Sequence, residues 1–319
     1  GHGEALLGAR PAGAWLADGL RESAPALAGL SATALLLSGC GSDSLDDSKS
    51  SASSGAAGAS SKAAEVTKDD PLAKLVPAAI AKEGTLTIGS DASYAPNEFT
   101  AADGKTIQGM DIDLLNAVAA KLGLKITFQN GDFGTLIGGV NAGKYPAAIS
   151  SFTINAERLK TANMVQYYSA GTAWVTAKGN PGKVDPKDPC GATVGVQKGT
   201  VQFDELEELN KKCDDKIKIV VEQEQSKVTA SLVSGKTEAM AADSPISLYA
   251  VKQQGEELEA LGDIYDSAPY GIVIPKDQEE FGEAIAAAFE SMKEDGTYEQ
   301  ILKDWGNESG GIDEFAVNP

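Results

Sequence analysis

The chain has 319 residues, 42% hydrophobic and 23% charged, with a formal net charge of −19. This length accommodates two domains of ordinary size, and the composition is that of a globular protein. Such acidity argues against a nucleic-acid partner, because nothing would offset repulsion from phosphates.

Scarce residue types narrow the chemistry further. The single histidine, His2, lies in a segment expected to be removed. A mature chain without histidine has no Ser-His or Cys-His nucleophile pair and lacks the commonest zinc ligand. No catalytic residue, metal or cofactor is therefore expected. Arginine occurs at positions 10, 21 and 158, against 24 lysines. Arg158 would be the sole arginine of the mature chain, which suggests that this position needs a guanidinium fork.

In chain order, Ala24–Leu37 is apolar, uncharged and too short to span a bilayer comfortably. It reads as the apolar region of a signal peptide, with Arg21 before it. Glu4, Asp18 and Glu22 fit that reading poorly, so residues 1–39 are a signal peptide or an upstream remnant. Leu37-Ser38-Gly39-Cys40 resembles a bacterial lipobox, which implies cleavage before Cys40 and lipid attachment to its sulfur. The alternative is a buried helix followed by a free cysteine. Residues 40–70 then read as a flexible tether, because a Ser, Ala and Gly-rich stretch cannot bury a core. Cys190 and Cys213 remain. Two cysteines in an exported chain can pair, and a disulfide is the expectation; the alternative is two unpaired buried thiols.

The folded part is expected from Pro71. Thr85–Gly89 alternates as a strand does. Met110–Leu122 has helical spacing, with Ile112, Leu115, Val118, Ala119 and Leu122 on one face and Gly123 at the stop. A strand at 125–128, a helix at 134–142 and a strand at 147–151 follow. The second half repeats this: strand 192–196, helix 200–209, strand 217–221, helix 228–233 and strand 238–242. Such alternation predicts a parallel α/β sheet. Residues 140–147 and 232–239 also echo each other, each a helix end, a Gly-Lys turn and a strand. In that register Ser151 falls opposite Asp243, both at carboxyl ends of strands, where open α/β sheets bind ligands. A ligand between two similar lobes is the implication.

Five segments carry a family resemblance: Ile88-Gly89-Ser90-Asp91-Ala92-Ser93-Tyr94-Ala95-Pro96, Gly109-Met110-Asp111-Ile112-Asp113-Leu114, Ser150-Ser151-Phe152-Thr153-Ile154-Asn155-Ala156-Glu157-Arg158, Gly195-Val196-Gln197-Lys198-Gly199-Thr200 and Ala242-Asp243-Ser244-Pro245. Over residues 84–305 the chain resembles the amino-acid-binding family of ABC-transporter substrate-binding proteins, in the style of lipoproteins from high-GC Gram-positive bacteria. The resemblance implies two Rossmann-like α/β lobes joined by a two-strand hinge, the type II periplasmic-binding fold. Lobe 1 would take residues 71–175, lobe 2 residues 176–267, and residues 268–319 would return to lobe 1 and form the tail.

The resemblance also implies roles. Arg158, in the first turn of a helix capped by Thr153 or Asn155, would grip an α-carboxylate, with Ser151 and Thr153 beside it. Gly199 and Thr200 open a helix that would meet the same carboxylate. Asp243 would accept the α-ammonium. Tyr94 and Phe133 would wall the ligand, and Asp91 would meet its side chain. Each residue has a plainer reading: a surface ion pair to Glu157 for Arg158, helix caps for Thr200 and Asp243, core packing for Tyr94 and Phe133, a turn for Asp91. Asn97, Gly134 and Pro146 depart from the family pattern, and Asn97 would make the pocket more polar.

The function implied is an extracytoplasmic, lipid-anchored binding protein, monomeric, that delivers an amino acid, polar or cationic, to an ABC permease and its ATPase. The membrane contact would be the lipid anchor alone, with no nucleic acid bound and no catalysis. A receptor-linked sensor and a cyclic-acid dehydratase on the same fold are the alternatives. The chain has no P-loop of its own.

Overall fold

The computed structural model describes residues 66–319. The apolar amino-terminal segment, Cys40 and the tether up to residue 65 lie outside the described residues.

Two short helices open the described part, α1 (Asp70–Ala73) and α2 (Ala78–Ala81). The Asp69 carboxylate accepts the Leu72 N–H at 3.1 Å and so caps α1. Strand β1 (Leu86–Ser90) enters the sheet, followed by a small three-stranded unit of β2 (Ser93–Tyr94), β3 (Glu98–Thr100) and β4 (Ile107–Gln108). Helix α3 (Met110–Leu122), β5 (Ile126–Asn130), α4 (Phe133–Asn141), β6 (Ala148–Thr153) and α5 (Ala156–Thr161) complete the first half. The long strand β7 (Asn163–Ala177) leads to β8 (Thr193–Gln197), α6 (Val201–Lys212), β9 (Lys218–Glu222), α7 (Gln225–Val233), β10 (Ala239–Asp243) and α8 (Ser244–Gln254). A second long strand, β11 (Leu258–Ile274), returns to α9 (Glu279–Glu294) and α10 (Thr297–Trp305).

The main sheet has eight strands in the order β5-β1-β6-β11-β7-β10-β8-β9. Strands β5, β1 and β6 run parallel at one end, and β9, β8 and β10 run parallel at the other. Between them β7 and β11 pair with each other and with their neighbours antiparallel. The parallel sheet expected from the alternating pattern is thus mixed. Its two parallel blocks are joined by two long antiparallel strands, which no local periodicity announces.

Each half has its own apolar core, and burial of each large side chain stabilises the fold by roughly 1.5–3 kcal/mol. In the first, Ile112, Leu115, Val118, Ala119 and Leu122 of α3 are all buried, as their spacing predicts. Gly123 stops the helix with φ 67°, and the Leu124 N–H closes back on the Ala119 carbonyl at 2.8 Å. Phe281, Ile285, Ala288, Phe289 and Met292 of α9 join this same cluster, so the carboxyl-terminal helices pack with the first half of the sheet. In the second half Trp174, Val194, Val196, Leu206 and Ile217 cluster with Cys213. Cys213 forms a disulfide with Cys190, the two Cα atoms 5.4 Å apart. Among the described residues, no helix is long and apolar enough to cross a membrane.

Candidate ligand-binding site

The carboxyl ends of the two parallel blocks face each other, and the polar residues predicted to hold a ligand collect there. Tyr94, Phe133, Ser151, Thr153 and Arg158 come from the first half; Thr200, Val201, Gln202 and Asp243 come from the second. They enclose only about 10 Å³. That is the space of a single water at most, so the two walls are in contact. Size does not select the site. A cavity of about 820 Å³ lies between Val184–Lys187, Glu205 and residues 261–266, away from both sets of strand ends.

Arg158 is held from both sides of the cleft. Helix α5 starts at Asn155, whose side-chain oxygen accepts the Arg158 N–H at 2.9 Å. Of the two predicted caps, Asn155 is the one used. The guanidinium Nη1 donates to the Thr153 carbonyl at 2.7 Å, and Nη2 crosses to the Gly199 carbonyl at 3.1 Å. The guanidinium also lies over the rings of Phe133 (5.4 Å) and Phe152 (5.7 Å), which stack on each other at 4.8 Å. Burial lowers the pKa of Arg158, while Asp243 and Asp204 oppose that shift. Glu157 pairs instead with Lys160 at 2.6 Å, so the surface ion pair is not made by Arg158.

Asp243 sits opposite, 5% exposed, at the end of β10. Its Oδ1 accepts Gln202 Nε2 at 2.8 Å; its Oδ2 accepts the hydroxyls of Tyr94 at 2.9 Å and Tyr270 at 2.7 Å. Burial raises its pKa, against the pull of these three donors and of Arg158. It stands at the cap position of α8, but its side chain makes no capping bond. The carboxylate is turned into the cleft.

Asp91 makes the turn contacts of its plainer reading and also a bond across the cleft. Its Oδ1 accepts the Ser93 N–H and hydroxyl at 3.1 and 2.7 Å, which shapes the turn after β1. Its Oδ2 accepts the Phe133 N–H at 3.1 Å and reaches across to Gln197 Nε2 at 2.8 Å. Burial raises its pKa. Neither Asp91 nor Gly199 is among the residues that line the cavity.

Thr200 caps α6: its hydroxyl accepts the Phe203 N–H at 3.2 Å and donates to the Gln197 carbonyl at 2.8 Å. Gly199 has φ +80°, and a Cβ there would lie 3.2 Å from the Gly134 Cα. Gly134, one of the departures from the family pattern, is therefore where the two walls touch, and glycine stands on both sides of the contact. Ser151 adopts φ 51°, a conformation unusual for a residue with a side chain. Its N–H donates to Asp111 Oδ2 at 2.9 Å, away from the cavity.

Asn97 requires a correction. It is fully buried, and its amide donates to the Ser151 hydroxyl at 2.9 Å and accepts from Asn307 at 3.1 Å. It stiffens the wall behind Ser151 and does not make the pocket more polar. Sequence reasoning also missed Gln197, Gln202 and Tyr270. Gln202 follows Thr200 by two residues in the first turn of α6, a position from which a side chain can reach the helix start. Tyr270 carries no such signal, since β11 reaches Asp243 only through the fold.

The match to known proteins extends over this whole arrangement. Residues 86–308 match the family described as bacterial extracellular solute-binding proteins, family 3. The arginine-binding protein ArgT of Corynebacterium glutamicum is 34% identical over 249 residues, covering 76% of this chain and 81% of that protein. Among solved structures, an ancestral arginine-binding protein bound to arginine is 35% identical with TM-score 0.66, covering 70% of this chain and 98% of that one. An ancestral amino acid-binding protein, a precursor of cyclohexadienyl dehydratase, is 30% identical with TM-score 0.65, covering 71% of this chain and 97% of that one. With both the matched span and the site geometry in place, this chain belongs to the family 3 bacterial extracellular solute-binding proteins.

Proposed function

We propose that the protein binds a free amino acid with a cationic side chain, arginine foremost, between its two halves and delivers it to the permease of an ABC importer. The observation that carries this reading is the pairing of one arginine and one aspartate across a cleft at the strand ends, Arg158 with Thr153 beside it and Asp243 opposite. A zwitterion has the complementary charges. Arg158 would hold the α-carboxylate with two parallel bonds. The start of α6 at Gly199-Thr200 would add backbone N–H groups, and Asp243 would take the α-ammonium. Tyr94 and the stacked Phe133 and Phe152 would hold the ligand's aliphatic part, and Asp91 would meet a cationic head group.

The ligand named by the similar proteins supports this choice: ArgT and the ancestral structure are both described as arginine-binding. The likeness to the dehydratase precursor is a likeness to an amino acid-binding protein, so it also favours binding without turnover. With about 10 Å³ between the walls, entry requires the halves to separate about β7 and β11. Opening breaks bonds from Arg158 to Gly199, Tyr94 to Asp243, and Gln197 to Asp91. The ligand replaces them, and its differential affinity closes the cleft again.

The membrane attachment we propose is a lipid on Cys40, with the Ser, Ala and Gly-rich stretch that follows as the tether and the binding unit as a monomer beyond it. Leu37-Ser38-Gly39-Cys40 and the Ser-rich stretch support it. Metabolic labelling with a fatty acid should be lost in Cys40→Ser; equal labelling of the two would sink the anchor. The ligand is tested by calorimetric titration of refolded protein with arginine, lysine, ornithine, glutamine and leucine. Tight binding of leucine with none of the cationic amino acids would overturn the specificity.

A further inference from the structure

Behind the cleft lies a pair of acids that the binding scheme does not use. Glu98 on β3 and Asp111 in the first turn of α3 are both wholly buried. The two carboxyl groups converge on one atom, the Ser151 hydroxyl oxygen, 3.2 Å from Glu98 Oε2 and 3.3 Å from Asp111 Oδ2. Two buried carboxylates brought to one hydroxyl repel each other unless one of them carries a proton. The surrounding donors are neutral. Glu98 accepts the hydroxyls of Ser150 at 3.3 Å and Ser151 at 3.2 Å. Asp111 Oδ2 accepts the Ser151 N–H at 2.9 Å and the Tyr167 hydroxyl at 2.6 Å, and lies 3.3 Å from the Ser151 hydroxyl oxygen, whose one hydrogen serves one of the two acids at a time. Asp111 Oδ1 is buried with no N–H or O–H donor from any other described residue. A proton on one of the two acids removes one of two buried negative charges, which water cannot reach to stabilise.

The residue these acids hold is Ser151, the one lining residue of the cleft among the described residues that combines a side chain with φ near +50°. Its N–H and its hydroxyl are both taken up by the pair, so the unusual backbone at the end of β6 is fixed from behind. We propose that Glu98 and Asp111 share a single proton and act as the positioning pair of the binding site, holding Ser151 in the conformation that shapes the floor of the cleft. The role rests on the amino-acid reading above.

The charged and titratable groups facing the pair come from every element around it: Asp91 after β1, Tyr94 on β2, and Tyr167 and Tyr168 on β7. None is a cation, so none offers a counter-charge to a second anion. Burial, then the Asp111 carboxylate, pushes Glu98 well above the usual carboxylate range; burial pushes Asp111 up to about 6. The folded protein therefore holds the shared proton at pH values where an unfolded chain has released it.

Glu98→Gln keeps a donor of the same shape and removes the proton exchange. Glu98→Ala removes the donor and leaves Ser151 with one partner fewer. Thermal melting of wild type and Glu98→Gln from pH 5 to 9, without ligand, reads the proton: wild type should lose several degrees more than the variant as pH rises. Parallel curves overturn the shared proton. Arginine titrations at pH 6 read the positioning: Glu98→Gln should stay within threefold of wild type, whereas Glu98→Ala should weaken by at least tenfold. Should Glu98→Ala not fold, Asp111→Ala, which removes the acceptor of the Ser151 N–H, is measured in its place with the same expectation. Wild-type affinity in the alanine variant overturns the positioning role. Wild-type protein that binds no amino acid overturns the functional reading and the positioning role with it, while the melting comparison still decides the proton.

Discussion

The Tyr94 hydroxyl donates to Asp243 Oδ2 at 2.9 Å, joining residues 149 positions apart on opposite walls of the cleft. The same carboxylate also takes Tyr270 and Gln202. In this closed form Asp243 has its hydrogen-bond needs met by the protein. On the proposed reading, an incoming ammonium group would displace one of these donors, Tyr94 being the one from the opposite wall, and that exchange would couple binding to opening.

Asp243→Asn keeps the shape and removes the charge. A hydrogen bond to a charged group contributes about 1.5–3 kcal/mol, so affinity for arginine should fall by about 10- to 100-fold. Calorimetric titration reads the loss directly. A ligand lacking the α-amino group should lose far less, because it has no ammonium for Asp243 to meet.

Arg158→Ala should abolish measurable amino-acid binding at micromolar protein, and Arg158→Lys should restore it only in part. A lysine supplies the charge but not the planar fork that makes two parallel bonds or lies flat on Phe133 and Phe152. Equal affinity in the lysine variant and wild type would show that only charge matters there.

The fold itself should become less stable as pH rises through the mildly acidic range. Asp91, Glu98, Asp111 and Asp243 all have carboxyls raised by burial. The native state then binds more protons than the unfolded chain, so unfolding free energy falls with increasing pH. For Asp111 the window runs from about 4, its ordinary value, to about 6. Stability contributed by its protonated form is present below that window and lost above it. Melting temperatures at pH 4.5 and 6.5 in matched salt check the sign.

Reduction of the Cys190–Cys213 bond, or Cys190→Ser with Cys213→Ser, should cost about 3 kcal/mol in the chain-entropy model for a separation of 23 residues. Denaturant titration of the oxidised and reduced protein gives the difference. Arginine affinity should change little, since the bond lies between the loop before β8 and the end of α6, outside the cavity lining.

Much of this arrangement is legible in the sequence because it is local. The α3 face, its Gly123 stop and the repeated helix–turn–strand units follow from spacing and turn chemistry, and every predicted strand and helix lies within a few residues of an observed one. Ser151 and Asp243, aligned by the internal echo, do line one cavity. What local pattern cannot give is partnership across the fold. Nothing near Asn97 says that it bonds Ser151 and Asn307 and so turns away from the cavity. Nothing near Tyr270 says that β11 carries it to Asp243. The antiparallel placement of β7 and β11 has the same origin: strand direction is decided by which neighbours a strand meets, not by its own residues.

The most direct test of the central claim is calorimetric titration of refolded residues 41–319 with arginine, run beside Arg158→Ala and a panel of other amino acids. Saturable one-to-one binding of arginine, absent in Arg158→Ala and weaker for uncharged amino acids, is the result expected. Heat changes no larger than dilution for every amino acid, in protein that melts cooperatively, would contradict it.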